Sequence, residues 1–223
     1  MNALLYCPLK QIVIDYVGGF QDIWEEKIRT LTPVQDSFLE DPVRMIRAIR
    51  YAGQTGFSLS STITRGIQRY RNELPRCSPA RITEEVYKIL QCGHSASILY
   101  MAFRLRILEV MLPAVDQHLR SGRKKEREEV FVAGLRQLDE RILKNPQAKI
   151  DRGKLLSVLF KELFKSASHD FQEDNQNLLT QKFLRKIALP LLPSRREIIK
   201  AASILQRGEG NRACGSGRRS PLL

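Results

Sequence analysis

From Asp41 onward, apolar residues recur at helical spacing in short blocks, and each block is bounded by residues that start or stop a helix. That punctuation constrains the chain to packed helices more than any other feature. Asp41-Pro42 opens one block. Asp41 is placed to cap, and Pro42 suits a first helical position because its missing N–H has no partner there anyway. Val43, Ile46, Ile49 and Tyr51 mark the inward side, and Gly53 and Gly56 bring the helix to its end. Ser60 or Ser61 starts the next helix, which carries Ile63, Ile67 and Tyr70. Ser78-Pro79 starts a third, with Ile82, Val86, Ile89 and Leu90, stopped by Gly93. A fourth is expected over about 95–112, ending at Pro113. Further helices are expected around Val130 to Leu143 and over 152–165, 176–189 and 195–206, with Pro190 and Pro193 separating the last two. Many helices with short connections make an all-α body.

The first residues differ. Ala3-Leu4-Leu5-Tyr6 and Gln11-Ile12-Val13-Ile14-Asp15-Tyr16-Val17 are rich in β-branched and aromatic residues, are joined through Cys7-Pro8-Leu9-Lys10, and end at Gly18-Gly19. They read as two strands and a turn. Two strands alone are marginal in water, so the expectation is a fragment of a sheet whose other strands lie elsewhere. At the other end, 208–223 is rich in Gly, Arg and Ser without apolar periodicity, and disorder is expected there.

The formal net charge is +13. Such an imbalance favours a polyanionic partner, because each phosphate neutralised releases counterions. Arg123, Lys124 and Lys125, within the basic run 120–127, are candidate RNA contacts in a loop ahead of the next helix. A solvated linker with a basic face would account for the run equally well. No run of about eighteen apolar residues spans a membrane. Cys7, Cys77, Cys92 and Cys214 lack metal or disulfide spacing, and His94, His118 and His169 are isolated, which suits reduced thiols in the cytoplasm. No phosphate-binding Gly-rich loop and no Ser-His-Asp or Cys-His set can be picked out. Two-metal phosphoryl transfer needs paired carboxylates, and Asp15 is the one carboxylate before Gly19. No catalytic residue and no metal ligand is therefore assigned.

The densest polar stretch is Glu40-Asp41-Pro42-Val43-Arg44-Met45-Ile46-Arg47-Ala48-Ile49-Arg50. On a helix, Arg44, Arg47 and Arg50 follow one drifting face, with acidic residues at the positive end of the macrodipole. A carboxylate and a guanidinium a turn apart can offer an acceptor and a donor to a base edge. An Asp cap followed by a solvated Arg face would give the same letters.

Wider segments carry a specific resemblance. Asn2-Ala3-Leu4-Leu5-Tyr6, Ile14-Asp15-Tyr16-Val17-Gly18-Gly19, the run from Phe38 to Tyr51, and Ser78-Pro79-Ala80-Arg81-Ile82 with Glu84-Glu85 stand in the order and spacing of one family. They resemble the class II nucleotidyltransferases, that is, bacterial-type poly(A) polymerases and CCA-adding tRNA nucleotidyltransferases. The resemblance implies a mainly α fold: helical neck, body and tail preceded by two strands from an α/β nucleotidyltransferase head, divided as 1–24, 25–115, 116–207 and a basic tail 208–223. It implies ATP as substrate, Mg²⁺ held by head carboxylates upstream of the matched segments, and an RNA 3′ end, of mRNA or tRNA, as acceptor. Carried over, Asp41 and Arg44 read the base, Arg47 helps place the nucleotide, Asn2 lies beside it, and Glu40, Arg81 and Glu85 support. The Pro of Glu40-Asp41-Pro42-Val43-Arg44 favours the poly(A) branch, with CCA addition the alternative; Arg195 and Arg196 resemble the basic C-terminal part of that branch and carry over as RNA contacts. Without the head carboxylates the chain is expected to be inactive alone; a split gene, a partial sequence and a separate head fragment are the three ways to account for them. A non-catalytic RNA-binding protein and a non-functional remnant are the competing readings.

Overall fold

The computed structural model describes residues 4–121, 124–148, 150–167 and 176–213. It opens with a hairpin. β1 (Leu4–Cys7) pairs antiparallel with β2 (Ile12–Asp15), Leu4 opposite Asp15 and Cys7 opposite Ile12. Asp15 then ends the strand by collecting backbone N–H groups. Its Oδ1 accepts from Val17, Gly18 and Gly19 at 3.1, 2.9 and 2.9 Å, and its Oδ2 from Phe20 at 2.9 Å. Gly18 takes φ +80°, a left-handed turn that favours glycine, and leads into α1 (Gly19–Trp24). This part of the molecule leaves its apolar side chains in water: Leu5, Tyr6 and Trp24 are 57, 62 and 90% exposed.

Helices follow: α2 (Val34–Glu40), α3 (Val43–Thr55), α4 (Ser61–Tyr70), a 3₁₀ turn (Arg71–Arg76), α5 (Pro79–Gln91) and α6 (Ser95–Arg104). Then come α7 (Leu108–Met111), α8 (Pro113–Arg120), α9 (Lys124–Lys144), α10 (Arg152–Ala167), α11 (Gln176–Ala188) and α12 (Arg195–Ala213). Ser60 and Ser78 cap α4 and α5 as their sequence positions suggest, accepting from the N–H groups of Ile63 and Arg81. Among the described residues the molecule is mainly helical with two small sheets. The second sheet, β3 (Lys27–Ile28) parallel to β4 (Ser58–Leu59), has no sequence signature. Its strands are two residues long, and α3 with its Gly56 turn (φ +78°) brings them together.

Five expectations are corrected. Asp41 does not cap α3 with its side chain; Pro42 stands at the cap, and the carboxylate is turned to another helix. Gly53 does not end α3. A Cβ there would lie 2.3 Å from Ile98 Cγ1, so the missing side chain lets α3 approach α6. The helix expected over 95–112 breaks after Arg104, with Arg106 at φ +62°, because the turn buries Leu105, Ile107 and Leu108 together. Pro113 therefore opens α8 instead of closing the previous helix. Finally, Lys124 and Lys125 stand in the first turn of α9, not in a loop. α12 continues to Ala213, beyond the point where helix was expected to stop, as elongation from a packed start allows; 214–223 lie outside the described residues.

One continuous apolar core runs from Ile28 to Leu205. α3 packs on α5 and α6, α6 on α9, and α10 on α12. Phe38, Phe160 and Phe164 are fully buried, each contributing about 1.5–3 kcal/mol over an exposed ring.

Candidate functional site

The sequence-predicted residues Glu40, Asp41, Arg44, Arg47, Arg81 and Glu85 gather where the end of α2 and the start of α3 meet α5. Asp41 sits at the junction of α2 and α3. Its Oδ2 accepts from Arg81 at 2.8 Å, with the Asp41 side chain 18% and the Arg81 side chain 53% exposed. That carboxylate raises the Arg81 pKa above its ordinary value, chiefly through the hydrogen bond. The other oxygen, Asp41 Oδ1, is buried and has no hydrogen-bond partner among the described residues. A buried acceptor without a donor costs about 1–3 kcal/mol, and such groups call for an explanation. Cys77 lies beside them. Burial pushes its thiol up, the Val43 N–H opposes that, and the Asp41 charge adds to the rise.

Arg44 does not pair with Asp41. Its guanidinium donates to Glu40 Oε2 at 2.7 Å and, more weakly, to the carbonyl and hydroxyl of Ser37 at 3.4 Å. Glu40 thus holds Arg44 at the end of α2, and a 37% exposed Arg44 side chain keeps donors on the surface. The Arg47 guanidinium lies beside the Tyr51 hydroxyl and holds the Tyr51 pKa below its ordinary value, against the effect of burial.

Arg50 departs from the expected Arg face. It is buried, donates from Nε to Glu85 Oε2 at 3.1 Å and from Nη1 to Gln54 Oε1 at 3.0 Å, and stacks 4.5 Å from the centre of the Tyr51 ring. Glu85 also accepts from Lys88 at 2.7 Å. Glu85 and Arg50 therefore form a buried brace between α5 and α3. Arg81, in contrast, touches the Asp41 carboxylate itself. Sequence reasoning missed Arg50, Cys77 and Ser37 as neighbours of this corner; a short polar residue one turn before Glu40 was the only local sign for Ser37.

The other candidates are scattered. Asn2 and Arg123 lie outside the described residues. Lys125 lines a separate cleft of about 670 Å³ between α6 and α9, with His94, Glu128, Glu129 and Arg136. Arg195 and Arg196 are exposed at the start of α12. Part of the basic run is engaged internally, since Arg120 pairs with Asp116 at 2.6 Å and Arg127 donates to the His118 carbonyl at 3.1 Å.

The donor set does not suit Mg²⁺. Among the described residues no group of His, Cys, Asp and Glu could hold a metal ion, and Asp15 is committed to four backbone N–H groups. Among the described residues no helix is long and apolar enough to cross a membrane.

Comparison with known proteins adds the family. Residues 56–119 match the family described as a probable RNA- and SrmB-binding site of polymerase A. Poly(A) polymerase I of Salmonella typhi is 26% identical over 226 aligned residues, covering 96% of this chain and 48% of that protein. The CCA-adding enzyme of Bacillus subtilis is 38% identical over 97 residues, 44% of this chain and 24% of that protein. The chain spans about half the length of the poly(A) polymerases it matches along its whole length. A solved tRNA-processing enzyme in an apo form shares the fold with a TM-score of 0.60 at 23% identity, covering 94% of this chain and 54% of that one. A tRNA nucleotidyltransferase complexed with a primer tRNA and an incoming ATP analogue does so at 0.54 and 21%, over 92% and 67%. Motif order, fold and relatives agree: the chain is similar to bacterial poly(A) polymerases over nearly its whole length and to CCA-adding tRNA nucleotidyltransferases over less than half of it.

Proposed function

We propose that this chain supplies base selection and RNA binding for template-independent addition of adenylate, from ATP, to RNA 3′ ends. The observation that carries the reading is the Asp41 carboxylate. One oxygen is pinned by Arg81 and the other is buried without a donor. Adenine presents an exocyclic amine that such an oxygen can accept from, and so does cytosine. Guanine and uracil present a carbonyl there, which would meet the carboxylate with repulsion. Arg44 adds a donor at the same corner, held by Glu40, and Arg47 helps place the nucleotide. The relatives' names, poly(A) polymerase among them, support the substrate class.

The metal-holding carboxylates belong, in this reading, to a head outside the described residues or on a separate chain. The exposed apolar side chains Leu5, Tyr6, Ile12 and Val13 on the hairpin support a packing partner for it. CCA addition is the second reading, favoured by the 38% identity to a CCA-adding enzyme.

Titration of the purified chain with each nucleoside triphosphate and Mg²⁺, at low salt, tests the assignment. ATP is expected to bind in preference to GTP and UTP, and Asp41→Ala and Arg44→Ala are expected to abolish that preference. Equal affinity for ATP and CTP favours CCA addition over poly(A) addition. RNA binding that is indifferent to ATP, with no nucleotide preference at all, would sink base reading and leave an RNA-binding protein.

A further inference from the structure

The helix that carries Arg81 is held on two sides. At 3.6 residues per turn, Arg81 and Glu85 share one flank of α5, and Thr83, Glu84 and Tyr87 lie around the other side. The first flank meets α3 and its N-terminal junction, through Arg81 with Asp41 at 2.8 Å and Glu85 with Arg50 at 3.1 Å. The second flank meets residues more than sixty positions later in the chain. Thr83 Oγ1 accepts from the Leu192 N–H at 2.9 Å and donates to the Pro79 carbonyl at 2.7 Å. The Tyr87 hydroxyl donates to Glu197 Oε2 at 3.0 Å. Arg152 grips Glu84 with two bonds, at 2.7 and 2.8 Å, and lies 4.5 Å from the centre of the Tyr87 ring. Glu197 is itself fixed, accepting from the Ser194 N–H at 2.7 Å.

We propose that Thr83, Glu84 and Tyr87 are positioning residues for base selection, and that through them α10 and α12 set where Arg81 holds Asp41. The proposal rests on the reading of Asp41 as the base acceptor. Arg81 reaches Asp41 as a half-exposed arm from α5. The location of its guanidinium therefore follows the position and rotation of α5. Bonds on the far flank help to fix both, together with the Arg50–Glu85 brace and the core. Tyr87 is only 2% exposed, yet its ring ends in a polar atom bonded to one buried-side carboxylate. Packing alone would be met by Phe. A bidentate Arg–carboxylate pair, a buried hydroxyl and a threonine bridging to a loop N–H give α5 a directional grip that apolar contact lacks. Nucleotide discrimination then depends on how α10 and α12 seat, although neither touches the base-reading corner.

The test uses the full chain with Tyr87→Phe, Thr83→Val and Thr83→Ser, each alone and combined with Arg81→Gln. Dissociation constants for ATP and GTP are measured beside the urea midpoint. Tyr87→Phe and Thr83→Val are expected to lower the ATP:GTP preference about threefold or more, the scale of one weakened hydrogen bond. Thr83→Ser restores it, and Tyr87→Phe has no further effect once Arg81→Gln has removed the Asp41 contact. A purely structural role would shift the urea midpoint and leave the preference where it was; that result overturns the proposal. So does an equal loss from Tyr87→Phe in the Arg81→Gln background. If Asp41→Asn leaves the ATP:GTP preference unchanged, base reading itself fails and takes this proposal with it.

Discussion

Arg50 and Gly53 stand one turn apart on α3, and each is decided by what another helix brings to it. Arg50 and Glu85 are 10 and 6% exposed at their side chains. Removing one charge of a buried pair leaves the other uncompensated, at a cost of about 3–5 kcal/mol. Glu85→Gln is expected near the lower bound, because Gln54 and the Tyr51 ring still engage Arg50. Urea unfolding would show a lower midpoint at an unchanged slope; a midpoint within error of the parent would remove the brace from the stability account. Gly53→Ala forces Ile98 aside, since the new Cβ would sit 2.3 Å from its Cγ1. Overpacking of this kind costs about 1–3 kcal/mol. The same change in an Ile98→Ala background is expected to cost less, a non-additivity that a double-mutant cycle reads directly.

At the scale of elements, the turn from β2 into α1 depends on one carboxylate. Backbone N–H groups of Phe20 and Gly19, then of Val17 and Gly18, hold the Asp15 pKa below its ordinary value, against an opposing effect of desolvation. A depressed folded pKa means that ionised Asp15 stabilises this turn above the unfolded value near 3.8. That stabilisation fades as pH falls through the lower folded value. The amides of residues 17–20 are therefore expected to lose hydrogen-exchange protection in acid below that range, while α4 keeps its own. Asp15→Asn should make the turn insensitive to pH over the same interval. Protection that falls equally in the Asn variant would assign the acid effect to another group.

For the whole molecule, charge is the controlling quantity. At a net charge of +13, RNA affinity is expected to fall linearly on a log–log plot against salt, with a slope of about −0.7 per phosphate neutralised on a single strand. Arg195→Gln combined with Arg196→Gln, two exposed positions at the start of α12, should flatten that slope by about 1.4 units if both meet phosphate. An unchanged slope would place the RNA elsewhere, with the family-matched residues 56–119 the next surface to examine.

Much of this architecture is written locally. The helical periods, the Ser60 and Ser78 caps and the hairpin all follow from residues within a turn or two of one another, and that is the range over which backbone hydrogen bonds and capping act. The corner of Glu40, Asp41 and Arg44 was likewise legible, because one helix start carries it. Its pairing was not. Asp41 could have capped its own helix or met Arg44, and it bonds Arg81, forty positions away. Arg50 looked like a member of a solvated Arg face and is buried on Glu85. The break after Arg104 and the β3–β4 pair have the same origin. Which partner a charge meets, and where a helix must stop to bury its neighbours, depends on distances between elements. Core packing sets those distances only when α3, α5 and α6 close on one another.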